Sequence, residues 1–133
     1  KDYSLYLELT DNFDKFINNW YNSPIFGSLS QKAIVKDFLI QKRKNNNPKE
    51  AGKLLTGFSQ GIMKPKWDYL KSLSIPTLLI TGELDKKYTE INKKMNMLLP
   101  YCKHYIIKNA GHIPHFENKQ DFIKTLVNYL ETL

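Results

Sequence analysis

Two short apolar runs, Thr77–Ile80 and His104–Ile107, are the only segments of this chain that read as β-strands. Each is continuous rather than alternating and is bounded by turn residues, the pattern of a strand covered on both faces of a parallel sheet. Between them Ile91, Met95 and Leu98 recur at helical spacing up to Pro100, and after the second run Phe122, Ile123, Leu126, Val127 and Leu130 do the same. This order predicts a βαβα segment. Two strands cannot make an independently stable sheet, so the remaining strands are expected from residues outside this chain or from another copy of it.

The first half of the chain carries no period-2 alternation and reads as helices. Thr10 is expected to cap a helix bearing Phe13, Phe16, Ile17 and Trp20, which ends at Ser23-Pro24. Ser30 is expected to cap a second, bearing Ile34, Val35, Phe38 and Leu39. Asn47-Pro48 is a strong start signal for a third, with Ala51, Leu54, Leu55 and Phe58 on one face, and Trp67–Leu73 adds a short fourth. The expected division is a helical segment over 1–73 followed by α/β core over 74–133.

Composition narrows the functional classes. No apolar run approaches the roughly 18 residues that a membrane span needs, and Lys1–Leu5 does not read as a signal peptide. The single Cys102 cannot form an internal disulfide, and with three histidines it makes no metal-ligand cluster. A cytoplasmic protein without metal is expected. The net charge of +7 comes from lysines scattered along every segment without the aromatic interleaving of a nucleic-acid platform, so neither nucleic acid nor membrane is an expected partner. Nineteen of the twenty cations are lysine, and only Arg43 offers the flat, permanently charged fork that matches a carboxylate bidentately.

Just past the two apolar runs stand Asp85, in Gly82-Glu83-Leu84-Asp85, and His112, in Asn109-Ala110-Gly111-His112. In open parallel sheets the loops beyond the carboxyl ends of the strands carry the active site. A carboxylate there orients an imidazole and stabilises its protonated form, and the imidazole moves a proton on or off a hydroxyl. Gly82 and Gly111 are expected to permit the turns that aim both side chains inward. His115 competes with His112 for the role. Gly57-Phe58-Ser59-Gln60-Gly61 matches the G-x-S-x-G pattern of a nucleophile elbow, but an elbow needs a strand before its serine and a helix after it. Here a helical run precedes Ser59 and Met63-Lys64-Pro65 follows, so Ser59 is set aside.

Ile75–Asp85, Ala110-Gly111-His112 and Phe116-Glu117-Asn118 before a last helix resemble the C-terminal end of the α/β-hydrolase fold, with Lys119 where that pattern usually has proline. Asn19–Phe26 together with Arg43–Asn47 resembles the lid of the 2-succinyl-6-hydroxy-2,4-cyclohexadiene-1-carboxylate synthase family of menaquinone biosynthesis. The resemblance implies a helical lid ahead of the last two strands of the sheet. It implies a lyase that eliminates pyruvate, in which a serine-histidine-aspartate triad abstracts a proton and no metal or organic cofactor takes part. It assigns Asp85 and His112 to the triad, and Trp20, Tyr21 and Arg43 to binding a small-molecule carboxylate substrate. The serine and the oxyanion hole would lie upstream of Lys1, in an N-terminal α/β core, and the 133 residues alone would be inactive. Two other readings are a carboxylic-ester hydrolase of the same fold, and a non-catalytic assembly module whose exposed sheet edge docks on another chain.

Overall fold

The computed structural model describes residues 2–58, 61 and 63–133. It divides into two compact units. One comprises Lys1–Pro24 and Ala33–Pro65; the other comprises Ile25–Lys32 and Lys66–Leu133.

The first unit is helical: α1 (Asp2–Asp11), α2 (Phe13–Tyr21), α3 (Ala33–Lys44) and α4 (Pro48–Gly57). Asn12, not Thr10, caps α2, its side-chain oxygen accepting from Lys15 N–H at 2.9 Å. The Thr10 hydroxyl instead donates back to the carbonyls of Tyr6 and Leu7, inside the last turn of α1. Asparagine ranks above threonine as a cap, and here it displaces the start by two residues. Asn47 and Pro48 open α4 as expected, with Asn47 Oδ1 accepting from Lys49 N–H at 2.9 Å and Glu50 N–H at 3.2 Å. The buried side chains of this unit are Leu9, Phe16, Ile17, Tyr21, Leu39 and Ile40. The stripe expected on α3 is rotated: Leu39 and Ile40 are buried, whereas Ile34 and Phe38 are exposed. Gly52 lets α4 approach α1, because a Cβ there would lie 2.9 Å from the Tyr6 ring.

The second unit holds the sheet. A 3-10 segment over Pro24–Gln31 contains Ser30, whose hydroxyl donates to Gly27 O at 2.8 Å rather than capping a helix. A second 3-10 turn, Trp67–Ser72, leads to β1 (Thr77–Gly82), α5 (Lys86–Leu98), β2 (Cys102–Ile107), α6 (Pro114–Glu117) and α7 (Lys119–Leu130). The strands are parallel, in register from Thr77 opposite Cys102 to Gly82 opposite Ile107. The expected boundary at residue 73 is not the boundary between compact units, since 25–32 and 66–73 group with the sheet.

The face of β1 toward α5 is polar at its end. The Thr89 hydroxyl of α5 lies 3.2 Å from both Thr81 Oγ1 and Gly82 O, and Thr81 Oγ1 is 2.8 Å from His104 Nε2. Burial, aided by the Lys93 ammonium, holds the His104 imidazole below its ordinary pKa and favours the neutral ring beside the Thr81 hydroxyl. The double covering expected of both strands is not found among the described residues: Leu78, Leu79 and Ile80 are half-buried, and Tyr105 and Ile106 are exposed. Ile123, Leu126, Val127 and Leu130 form an exposed apolar stripe along α7. No helix among the described residues is long and apolar enough to cross a membrane.

Candidate active site

The chain leaving β1 turns at once. Asp85 N–H donates to Gly82 O at 3.0 Å, and Asp85 then becomes the N-cap of α5, its Oδ1 accepting from Tyr88 N–H at 3.1 Å. An aspartate is favoured there because it satisfies an otherwise unpaired helix N–H and faces the positive end of the helix. Capping with Oδ1 leaves Oδ2 for something else.

That partner is His112. The loop leaving β2 is tied across the sheet end by Glu83 N–H to Ile107 O and Leu84 N–H to Ala110 O, both 2.9 Å. Asn109, at φ 54°, takes the left-handed conformation that asparagine tolerates better than most residues, and its N–H donates to Glu83 Oε2 at 3.1 Å. The loop thus delivers His112 with Nδ1 2.7 Å from Asp85 Oδ2, a short bond between an imidazole N–H and a carboxylate. The Asp85 side chain is only 7% exposed and His112 28%. Tyr88 packs at 4.8 Å from the His112 ring and Phe26 meets it edge-on at 5.6 Å. Among the described residues no hydrogen bond engages Nε2. With Nδ1 committed to the carboxylate, Nε2 is the nitrogen able to take up and return a proton.

The glycines act by close approach rather than by backbone angle. Neither Gly82 nor Gly111 has positive φ. A Cβ on Gly82 would stand 2.2 Å from Gly111 O and 2.3 Å from Ala110 O, and one on Gly111 would stand 2.1 Å from Ser28 Oγ. Gly82 therefore sets the spacing between the two loops, and through it the distance from Asp85 to His112.

The structure brings Asp85 and His112 together, as their sequence positions implied. His115 is in α6 and packs on Phe116 and Phe122, with ring centroids at 4.6 and 5.7 Å. Ser59 lies outside the described residues. In the helical unit, Tyr21 at the end of α2 is buried, and its hydroxyl accepts from Arg43 Nε at 3.4 Å, a long bond; among the described residues the exposed guanidinium makes no other hydrogen bond or ion pair. Trp20 stacks on Phe16 at 5.8 Å yet is 37% exposed, so it belongs to the core only in part. Sequence reasoning missed Phe26, Tyr88, Lys32 and Glu117 around the histidine loop. The helical i, i+3 relation of Asp85 and Tyr88 was the one available signal.

A helical segment followed by two parallel strands, each with its helix, matches the C-terminal part of the α/β-hydrolase fold. A serine hydrolase involved in carbazole degradation shares that fold, at TM-score 0.61 and 23% identity over 73% of this chain and 40% of that one. The structure of MenH from S. aureus matches over 98% of this chain and 50% of that one, at TM-score 0.93 and 29% identity. A Bacillus subtilis protein provisionally named 2-succinyl-6-hydroxy-2,4-cyclohexadiene-1-carboxylate synthase is 30% identical over 128 residues, covering 94% of this chain and 46% of its own length. The synthase of that name from Serratia proteamaculans is 30% identical over 112 residues, 84% of this chain and 41% of its own. The chain spans about half the length of the curated relatives it matches. No protein-family model matches it.

Proposed function

We propose that this chain supplies the lid and the acid–base pair of a 2-succinyl-6-hydroxy-2,4-cyclohexadiene-1-carboxylate synthase, a lyase of menaquinone biosynthesis that eliminates pyruvate by proton abstraction. The observation that carries the proposal is the 2.7 Å bond between Asp85 and His112 beyond the ends of adjacent strands, in a chain similar along most of its length to proteins of that name. In this reading His112 Nε2 takes the proton of a serine hydroxyl supplied from outside this chain, and the serine oxygen abstracts the substrate proton. The electron pair left behind breaks the bond to the departing pyruvate as its enolate, and the imidazolium returns its proton to that leaving group. Asp85 holds the imidazole in the Nδ1–H tautomer and stabilises the imidazolium. Arg43 pairs with a substrate carboxylate, with Tyr21 bracing its Nε and Trp20 offering an aromatic face. The half-buried β1 and the apolar stripe on α7 support a further α/β segment completing the sheet.

The test is pyruvate release by the full-length protein that carries this chain, followed by coupled oxidation of a nicotinamide. His112→Ala is expected to lower the rate by about 1,000-fold or more, whereas Ser59→Ala leaves it nearly unchanged. A large loss with Ser59→Ala would restore the serine set aside on sequence grounds. A carboxylic-ester hydrolase is the second reading, because an Asp-His pair serves a serine that attacks an acyl carbon equally well. Faster turnover of simple aryl esters than of the synthase substrate would favour it.

A further inference from the structure

Segment 25–32 lies in sequence between α2 and α3 but groups with the sheet unit. It reaches the His112 loop with three side chains. Phe26 meets the imidazole edge-on, Ser28 fills the space beside the Gly111 Cα, and Lys32 ends the segment with its ammonium at the base of the loop. An ammonium has three protons, and this one has three acceptors: Asn109 O at 2.5 Å, Glu117 Oε2 at 3.2 Å and Glu117 O at 3.3 Å. The Glu117 side chain is fully buried, and its other oxygen accepts from Ile113 N–H at 3.3 Å. The Lys32–Glu117 pair therefore grips the loop at residues 109 and 113, on either side of His112, without touching the imidazole.

We propose that Lys32 and Glu117 are positioning residues that hold the His112 loop in register with Asp85. The inference rests on the reading of His112 as the proton-transfer residue. A buried ion pair is seldom more stabilising than apolar side chains of the same volume, since desolvation offsets the attraction. What it provides here is direction: a fixed ammonium anchors the carbonyl of the left-handed Asn109, and a fixed carboxylate anchors the N–H that follows His112. An apolar pair would fill the space and leave both backbone groups unheld.

The experiment uses three variants of the full-length protein, Lys32→Met, Glu117→Gln and the two combined. Each is read by thermal unfolding, by kcat and KM for pyruvate release, and by the low-field proton signal of His112 Nδ1–H. Lys32→Met strands a buried carboxylate and is expected to lower the melting temperature; the double variant removes that charge and is expected to recover it. The positioning role predicts that the recovered double variant still has kcat down about tenfold or more, KM within about twofold, and a broadened low-field signal. A double variant with both melting temperature and kcat at the wild-type level would overturn it, leaving the pair a purely structural one. If the wild-type protein releases no pyruvate, the functional reading fails, and the proton signal alone decides the positioning role: unchanged in the double variant, it refutes the proposal; broadened, it upholds it.

Discussion

Replacing Gly82 by alanine tests whether loop spacing sets the Asp85–His112 geometry. The glycine does not have positive φ, so alanine meets no backbone penalty and the whole effect is steric. The added Cβ would lie 2.2 Å from Gly111 O, 2.3 Å from Ala110 O and 2.5 Å from Ala110 C. Ordinary contact between such atoms needs about 3.2–3.5 Å, so the loops must part by roughly 1 Å, and the opposing atoms are backbone that cannot swing away. Overpacking of this kind costs about 1–3 kcal/mol. The same displacement stretches the 2.9 Å bond from Leu84 N–H to Ala110 O out of range, at about 1 kcal/mol more. The melting temperature of the full-length protein is then expected to fall by roughly 5–10 °C. Parting the 2.7 Å Asp85–His112 bond by the same amount should lower kcat by about 100-fold. The assay is calorimetric unfolding beside steady-state pyruvate release. Wild-type stability together with wild-type kcat would refute the steric argument, and a stability loss with kcat intact would refute the link from spacing to catalysis.

Asp85→Asn keeps an N-cap on α5 but presents His112 with the wrong partner, so stability should hold within about 0.5 kcal/mol while kcat falls by about 10,000-fold; a parallel loss of stability would show that the carboxylate matters for folding instead. Arg43→Lys exchanges a bidentate fork for a point charge and should lower kcat/KM by about tenfold or more; unchanged kinetics would remove Arg43 from the substrate. His104 titrates below its ordinary 6.5 in the fold, so as pH drops below that value the unfolded chain takes up a proton the folded chain refuses. Stability is therefore full above pH 6.5, declines below it, and is wholly lost from this source once the depressed folded value is passed. Denaturant titrations across this range should show that slope shrink in His104→Gln, and an identical slope would exclude the histidine as its source.

The elements legible in the sequence are those whose signal is local. Asn47-Pro48 announces α4 because cap and first-turn proline act within one helical turn. The apolar runs announce β1 and β2 because runs of β-branched and apolar residues bounded by turn residues are a local signal, although the double burial inferred from them is not found among the described residues. Asp85 and His112 were legible for a related reason, each following its own strand at a point where parallel strands end side by side. What escaped depends on which residues meet after folding. Thr10 reads as the cap of α2, but α1 takes it into its own last turn and the cap falls on Asn12 instead. Segment 25–32 carries no periodicity, and nothing local states that Lys32 pairs with Glu117, 85 residues away, or that Phe26 faces the imidazole. Gly82 and Gly111 were visible as glycines, but the obvious reason, freedom of φ, is the wrong one; the need is for room against a neighbouring backbone and Ser28. The chemistry of the pair is thus written in two short motifs, whereas the precision of its geometry is distributed over residues that only the fold assembles. Substitution of Asp85 or His112 should lower turnover by about 1,000-fold or more, and substitutions in the supporting residues should degrade it in proportion to the displacement they cause.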